Sequence, residues 1–239
     1  MAIAHRGEPI GHRENTLSGI AAAVRAGADI VEIDAKTAAD DVSVLLHDED
    51  LQRLWGRPER VTTLASADLA ALPGPDGGLP TLEQALALIA GTGTALLIDL
   101  DSPAWVPAAL DAVERGVRDR WLQPIEALWC GRCDAMLQVR ASRPDARIVL
   151  SWDEDTRAGA LPDDDDLAAL SSECLNPHWP MVTPEAVGWA HERGLALCCW
   201  TVDDAVTMTR MLDLGCDAMI SNRIRLLRDL LDRRESRPA

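Results

Sequence analysis

The clearest alternation of apolar and polar positions runs from Asp29 to Asp48. It opens as a strand with Ile30, Glu32 and Asp34 on one face, because successive side chains of a strand point to opposite sides. A polar turn, Thr37 to Asp41, separates this arm from a second apolar run, Val42 to Leu46, which ends in His47-Asp48. The pattern predicts a hairpin centred near Ala39 and Asp40, in which residues whose numbers sum to about 79 face each other. That register sets His47 level with Glu32. Taken alone, the stretch is also consistent with an amphipathic hairpin carrying charges at a sheet edge.

Along the rest of the chain, short apolar runs alternate with helical segments. Strands are predicted at residues 2–5, 95–100, near 125–130, 146–152, 172–176, 195–201 and 217–221. Helices are predicted from Leu17 to Ala26 (capped by Asn15 or Thr16 and stopped by Gly27), from Thr81 onward with Thr81 as cap, and up to about Val117. Others span 134–140, 184–193 and 204–214, and residues 223–237 read as a terminal amphipathic helix. Between Asp50 and Leu79 the glycines and prolines mark an excursion holding one short capped helix, Ser66 to Leu72. Asp163 to Asp166 reads as a solvated acidic run in a loop. Excluding the second arm of the hairpin, eight strands alternate with helices, which is the order of an α/β TIM (β/α)8 barrel. The expected organisation is one domain over residues 1–239, with residues 50–79 as a small insertion after the second strand's hairpin.

The 239 residues suit that fold, for which ~250 is typical. The chain has no Phe, no Tyr, eight Trp, and Lys36 as its one lysine against 22 arginines. The core must then be built from Leu, Ile, Val and Ala, with Trp as its bulky aromatic. A net charge of -16 without a basic stripe speaks against nucleic acid as a partner. No run of about 20 apolar residues offers stable membrane insertion. The first residues lack the pattern of a secretory leader, so a cytoplasmic protein is expected, with six cysteines as free thiols. Cys130 and Cys133 form a C-x-x-C with no second pair at metal-binding spacing.

In a TIM barrel the polar residues at the strand ends converge on one mouth, where the chemistry sits. Here these are His5, Glu32, Asp34, Asp99, Asp101, Trp200 and Asn222. Two carboxylates on one strand face repel each other, and a hard divalent cation with oxygen ligands is the usual remedy. His12, His178 and His191 match no motif and receive no role.

His5-Arg6-Gly7, Glu14-Asn15-Thr16, Glu32-Ile33-Asp34, His47-Asp48, Pro80-Thr81-Leu82-Glu83, Trp200-Thr201-Val202 and Ile220-Ser221-Asn222-Arg223 together resemble the glycerophosphodiester phosphodiesterase family. The match covers essentially the whole chain in order. It implies a TIM barrel, a divalent metal (Ca²⁺ or Mg²⁺), two catalytic histidines, and cleavage of a small-molecule phosphodiester substrate to sn-glycerol 3-phosphate and an alcohol. Carried over, Glu32, Asp34 and Asp99 would ligate metal, His5 and His47 would be acid and base, and Arg6 and Trp200 would bind substrate. Glu14 belongs to the motif without an assigned role. The family's Glu-x-Lys pair is Asp99-Leu100-Asp101 here, which shortens one ligand and reverses a charge. Asp101 is thus expected either to add negative charge to the mouth or to cap the helix that begins near Pro103. The competing readings are a phosphoester-binding relative with reduced or lost turnover and a barrel enzyme that forms a cyclic phosphate.

Overall fold

Residues 1–156 and 160–236 are described by a computed structural model of the chain. In chain order its elements are β1 (Ala2–His5), α1 (Leu17–Arg25), β2 (Ile30–Thr37), β3 (Ser43–Leu45), α2 (Gln52–Trp55), α3 (Ser66–Ala70), α4 (Leu82–Ile89), β4 (Ala95–Leu100), α5 (Val106–Arg118) and β5 (Ala127–Gly131). They continue with α6 (Cys133–Ser142), β6 (Val149–Trp152), α7 (Asp164–Leu170), β7 (Cys174–Pro177), α8 (Pro184–Glu192), β8 (Ala196–Leu197), α9 (Ala205–Leu214), β9 (Met219–Ser221) and α10 (Ile224–Glu235). Apart from β3, the strands run parallel in the orders β5-β4-β2-β1-β9 and β6-β7-β8. A bridge between Trp129 and Ile148 joins the two groups at one seam. At the other, Asp217 N donates to Leu197 O and Ile220 N to Cys199 O, both at 2.8 Å. The architecture is the TIM barrel that the alternation of strands and helices predicts.

Period-2 alternation explains both layers of the core. Ile3, Ile30, Leu97, Leu128, Val149 and Ile220 fill the barrel interior. Two residues on from four of them, His5, Glu32, Asp99 and Asn222 are polar residues of the mouth, so these strands are apolar below and polar at their ends. The other face of the same strands, including Val31, Ile33, Leu96 and Ile98, packs on Leu86, Val106 and Val113 from the helices. Trp129 and Trp152, each about 2 % exposed, supply the aromatic bulk in that layer. Helix starts follow the capping residues: Thr16 accepts from Gly19 N, and Thr81 forms a capping box with Gln84.

Several expectations shift in detail. The hairpin pairs Ala35 with Leu45, Lys36 with Val44 and Thr37 with Ser43, so its numbers sum to 80 rather than 79. The reason is the turn, which is closed by Ala38 N to Val42 O and places Asp41 at φ 59°, centring it on Asp40. Because β3 ends at Leu45, His47 is not paired across from Glu32 but arrives on the loop that follows. The acidic run 163–166 is not a loop: Asp163 and Asp166 form a capping box at the start of α7, where negative charge suits the helix N-terminus. β8 is shorter than the predicted strand, with backbone bonds continuing irregularly through Cys198 N to Leu175 O and Trp200 N to Pro177 O. Of the predicted terminal helix, Arg237 lies outside the described residues. Among the described residues no helix is long and apolar enough to cross a membrane.

The span 50–79 holds α2 and α3 and packs Leu51, Val61, Leu69, Leu72 and Leu79 on Ala38, Val44 and Leu46 of the hairpin. The short helix α3 lacks a cap from its own preceding residue; Asp40 of the hairpin turn accepts from Ser66 N instead. A second tie is Asp76, which accepts from Arg13 N (2.9 Å) and Ser18 Oγ (2.7 Å) and pairs with His12 Nδ1 (3.0 Å). The Arg13 backbone bond, then His12 and Ser18, hold its carboxyl down at about 2.

Two stability tests follow from these contacts. Gly131 lies at φ +122°, and a Cβ there would stand 2.3 Å from the Leu100 carbonyl oxygen, a backbone atom that cannot swing away. Gly131→Ala is expected to cost more than about 1 kcal/mol, read as a lowered midpoint in urea. Asp76 has a depressed folded-state pKa, so its stabilisation is complete above the ordinary 3.8 and is lost as pH falls through about 2. The melting-temperature gap between wild type and Asp76→Asn should therefore be full at neutral pH and close between those two values. A gap that does not change with pH would exclude the ionised carboxylate as the tie.

Candidate active site

At the C-terminal ends of the strands lies a cavity of about 360 Å³, lined by His5, Arg6, Glu32, Asp34, His47, Asp99, Asp101 and Trp200 together with Cys130, Ser151, Asp153, Asn176 and Ile220. Glu14 and Asn222 stand behind this wall, bonded to Arg6 and His5. A second cavity, of about 640 Å³, adjoins it and shares Asp99, Asp101, Ser151, Asp153 and Trp200 as walls.

Arg6 enters the cavity because the chain turns sharply after β1. Arg6 has φ 56° and Gly7 φ 90°, and a Cβ on Gly7 would lie 2.8 Å from the backbone of Gly19. Only glycine allows both that conformation and that approach. Arg6 N then donates to Glu32 Oε2 (3.0 Å), while its guanidinium lies 3.2 Å from Asp34 and 3.1 Å from Glu14. Asn15 straps the same region, donating from Nδ2 to Asp34 Oδ2 (2.7 Å) and accepting from Asp34 N (3.1 Å).

The carboxylates crowd one another. Burial, followed by the charges of Asp34 and Asp99, raises the Glu32 carboxyl well above its ordinary range. Burial and then Asp34 push Asp99 up to about 7. The Cys130 thiol donates to Asp99 Oδ2 at 3.6 Å and is itself pushed up, first by burial and then by Asp99. Cys130 packs in the barrel interior and Cys133 against the outer layer. Among the described residues no three His, Cys, Asp or Glu side chains are gathered as a set able to hold a metal ion as placed; Asp34 is turned toward Arg6 and Asn15.

Both histidines are held by Nδ1. His5 Nδ1 lies 2.8 Å from Asn222 Oδ1, and Asn222 Nδ2 donates to Asp203 Oδ2 (2.7 Å). The amide oxygen must accept, so His5 carries its proton on Nδ1 and leaves Nε2 as an acceptor 3.9 Å from Glu32. Burial, with Arg6, lowers the His5 pKa, which favours this neutral form. His47 Nδ1 lies 2.8 Å from Asp48 Oδ1. A hydrogen bond from Arg53 keeps the Asp48 carboxyl at about 2, ionised and accepting, so His47 also donates from Nδ1. Arg53 of α2 further reaches Glu14 with two bonds (2.9 and 2.6 Å). Glu14 thus ties Arg6 to Arg53. Burial pushes its carboxyl up, but the two arginines outweigh that and leave it below the usual range.

Asp101 is neither an unpaired mouth charge nor a helix cap. Lys36 Nζ donates to its Oδ2 and Trp105 Nε1 to its Oδ1, both at 2.6 Å. Ser102 caps the following 3₁₀ turn, accepting from Ala104 N. Trp200 Nε1 donates to Asn176 O (3.0 Å), and its ring centroid lies 5.1 Å from that of His178. Away from the cavity, His12 serves the Asp76 tie and His191 pairs with Asp217.

Sequence reasoning did not assign Lys36, Arg53, Asn176 or Asp203 to the site. Lys36 continues the Glu32–Asp34 alternation by one step, and Asn176 is a polar strand-end residue, so both carried a signal. Asn176 is about 2 % exposed and its Oδ1 has no hydrogen-bond partner. Arg53 and Asp203 lie in segments whose course the local pattern does not define.

Residues 5–226 match the glycerophosphoryl diester phosphodiesterase family. The chain is 27% identical to glycerophosphodiester phosphodiesterase GDPD4 of Arabidopsis thaliana, over 97% of this chain and 73% of that protein. Its fold is similar to that of an Oleispira antarctica phosphodiesterase solved in complex with the product sn-glycerol-3-phosphate, with TM-score 0.85, 22% identity and 96% of each chain covered. A glycerophosphodiester phosphodiesterase from Parabacteroides distasonis superposes with TM-score 0.81 at 25% identity, covering 98% of this chain and 97% of that one. With the family match spanning the two histidines, the acidic strand ends and the closing strand, the chain belongs to the glycerophosphoryl diester phosphodiesterase family and is a phosphoric diester hydrolase.

Proposed function

We propose that this enzyme hydrolyses a glycerophosphodiester to sn-glycerol 3-phosphate and an alcohol, with His5 as general base, His47 as general acid and a divalent cation bound at the carboxylates. The observation that carries the reading is the pair of histidines, each fixed through Nδ1, on the walls of one cavity with Arg6 and three acidic strand ends. An anchored imidazole presents Nε2 alone for proton transfer, which is what general acid–base catalysis requires.

Within this reading Arg6 binds the phosphoryl oxygens and offsets their charge. His5 Nε2, neutral and accepting, takes a proton of the attacking water as the water oxygen bonds to phosphorus. His47 Nε2 gives a proton to the alcohol oxygen as the bond from phosphorus to that oxygen breaks. Solvent then returns each imidazole to its starting state. Asn176 Oδ1 is suited to accept from a glycerol hydroxyl, since a buried acceptor without a partner is costly. The adjoining larger cavity gives room for the alcohol, with Trp200 at the boundary.

Glu32, Asp34 and Asp99 would hold the cation, Ca²⁺ or Mg²⁺. Their donor chemistry fits, since these are hard oxygen ligands and burial, then the neighbouring carboxylates, raises Glu32 and Asp99; Asp34 would have to turn from Arg6 and Asn15 to complete the set. When bound, the ion would supply positive charge to the phosphoryl oxygens. Neutralisation of Asp101 by Lys36 removes the reason to expect a binding protein without turnover.

Chelation is expected to abolish release of glycerol 3-phosphate from glycerophosphocholine, and full activity in metal-free protein would refute the cation. His5→Ala and His47→Ala should each reduce kcat by about 10²–10⁴-fold, while His12→Ala should leave kcat unchanged. The two roles separate on an aryl ester with an acidic phenol leaving group, which needs no proton donor. Such a substrate should restore most of the rate to His47→Ala and little to His5→Ala; the reverse pattern would exchange the assignments. Detection of a cyclic phosphate as the end product would identify the alternative barrel chemistry.

A further inference from the structure

Lys36 is the chain's one lysine, and it is almost wholly buried: its side chain is 2% exposed, against 56% for its partner Asp101. It lines neither cavity. Its placement follows from strand register. β2 and β4 run parallel with Asp34 level with Asp99. One alternation further along each strand, on the same face, Lys36 meets Asp101 at 2.6 Å. A pair of opposed carboxylates is therefore followed directly by a cation–carboxylate pair. Lys36 Nζ also lies 5.5 Å from the centre of the Trp105 ring, whose Nε1 holds the other Asp101 oxygen. Both Asp101 oxygens are thus engaged by donors.

We propose that Lys36 is a positioning residue that sets the charge of the substrate site: it neutralises Asp101 from the neighbouring strand and so keeps the mouth able to accept an anionic phosphodiester. The proposal rests on the phosphodiester reading above. Arg6 already faces Glu32, Asp34 and Glu14, so it has no surplus charge with which to offset a further carboxylate. Without Lys36, Asp101 would face both cavities as an uncompensated anion. With it, the pair is neutral and Asp101 remains a fixed acceptor at their boundary.

Charge balance can be separated from packing with four proteins: wild type, Lys36→Met, Asp101→Asn and the double variant. Titration calorimetry with inorganic phosphate and with sn-glycerol 3-phosphate, at saturating Mg²⁺ or Ca²⁺, gives Kd for each. Lys36→Met should bind both anions about tenfold more weakly, the order expected for one unit charge acting across about 12 Å at an effective dielectric of about 20. Asp101→Asn should bind no more weakly than wild type, yet should have the lowest melting temperature of the four, because it strands a buried ammonium. The double variant removes one charge of each sign and should return Kd to within about twofold of wild type. A double variant as weak as Lys36→Met, or a Lys36→Met protein that binds like wild type, would overturn the proposal. Wild-type protein that binds phosphate but cleaves no glycerophosphodiester would refute the functional reading and leave the pair standing. Absence of phosphate affinity in wild type would remove the anion site and the pair with it.

Discussion

The constraint on which this mouth depends is the accumulation of carboxylates at the top of an apolar barrel. Asp34 and Asp99 are level with each other on adjacent strands, and Glu32 is buried one step below. Like charges placed directly opposite destabilise a sheet, and burial in a poorly polarisable interior magnifies the penalty. The raised pKa of Glu32 and of Asp99 expresses that penalty as a preference for the neutral form. Much of the surrounding structure can be understood as a response to it. The left-handed turn at Arg6 and Gly7 brings in a guanidinium and a backbone N–H together. Asn15 gives Asp34 a donor, and Cys130 gives Asp99 one. None of these contacts extends the hydrophobic core; each addresses charge.

The same logic governs the histidines. In the proposed mechanism the base must stay neutral near acidic groups that would tend to protonate it. Burial and Arg6 hold His5 in that form, and the chain Asp203–Asn222–His5 fixes which nitrogen carries the proton. His47 is secured differently, by an ionised aspartate that Arg53 of α2 holds in place. The span 50–79 is therefore not mere decoration at the barrel rim, because its second-layer arginine orients one of the two imidazoles through Asp48.

Alternation made the fold legible in the sequence, and with it the strand-end residues His5, Glu32, Asp34, Asp99, Asp101 and Trp200 of the cavity wall. Arg6 and His47 were named through the motifs of the family resemblance. What parity does not give is register between strands distant in sequence. The Lys36–Asp101 pair depends on an offset between β2 and β4 that local patterning leaves undefined; Asp101 consequently read as an unpaired charge or a cap. The hairpin register slipped by one because the turn is centred on Asp40, where Asp41 takes up the left-handed conformation. The acidic run at 163–166 looked like a solvated loop because capping boxes are more often recognised from Ser, Thr and Glu than from aspartates alone. Arg53 and Asp203 reach the site from segments without periodicity, and their contacts are set by tertiary packing.

These cases suggest how a site can survive a charge reversal at one of its positions. Neighbouring strands lie about 4.8 Å apart, so a cation moved from one strand end to the next remains within the same electrostatic environment. The field at the bound phosphate depends on the sum of nearby charges and their distances, and only weakly on which strand carries each one. Position-by-position comparison reads Asp101 as the loss of a basic residue. In three dimensions the chain has Lys36 on β2 and a neutralised Asp101 on β4, with Arg6 left as the cation that faces the cavity. The acidity of the protein as a whole, net -16, is then compatible with an anionic substrate, since distant surface charges are screened by salt and Lys36 pairs with Asp101 at the mouth.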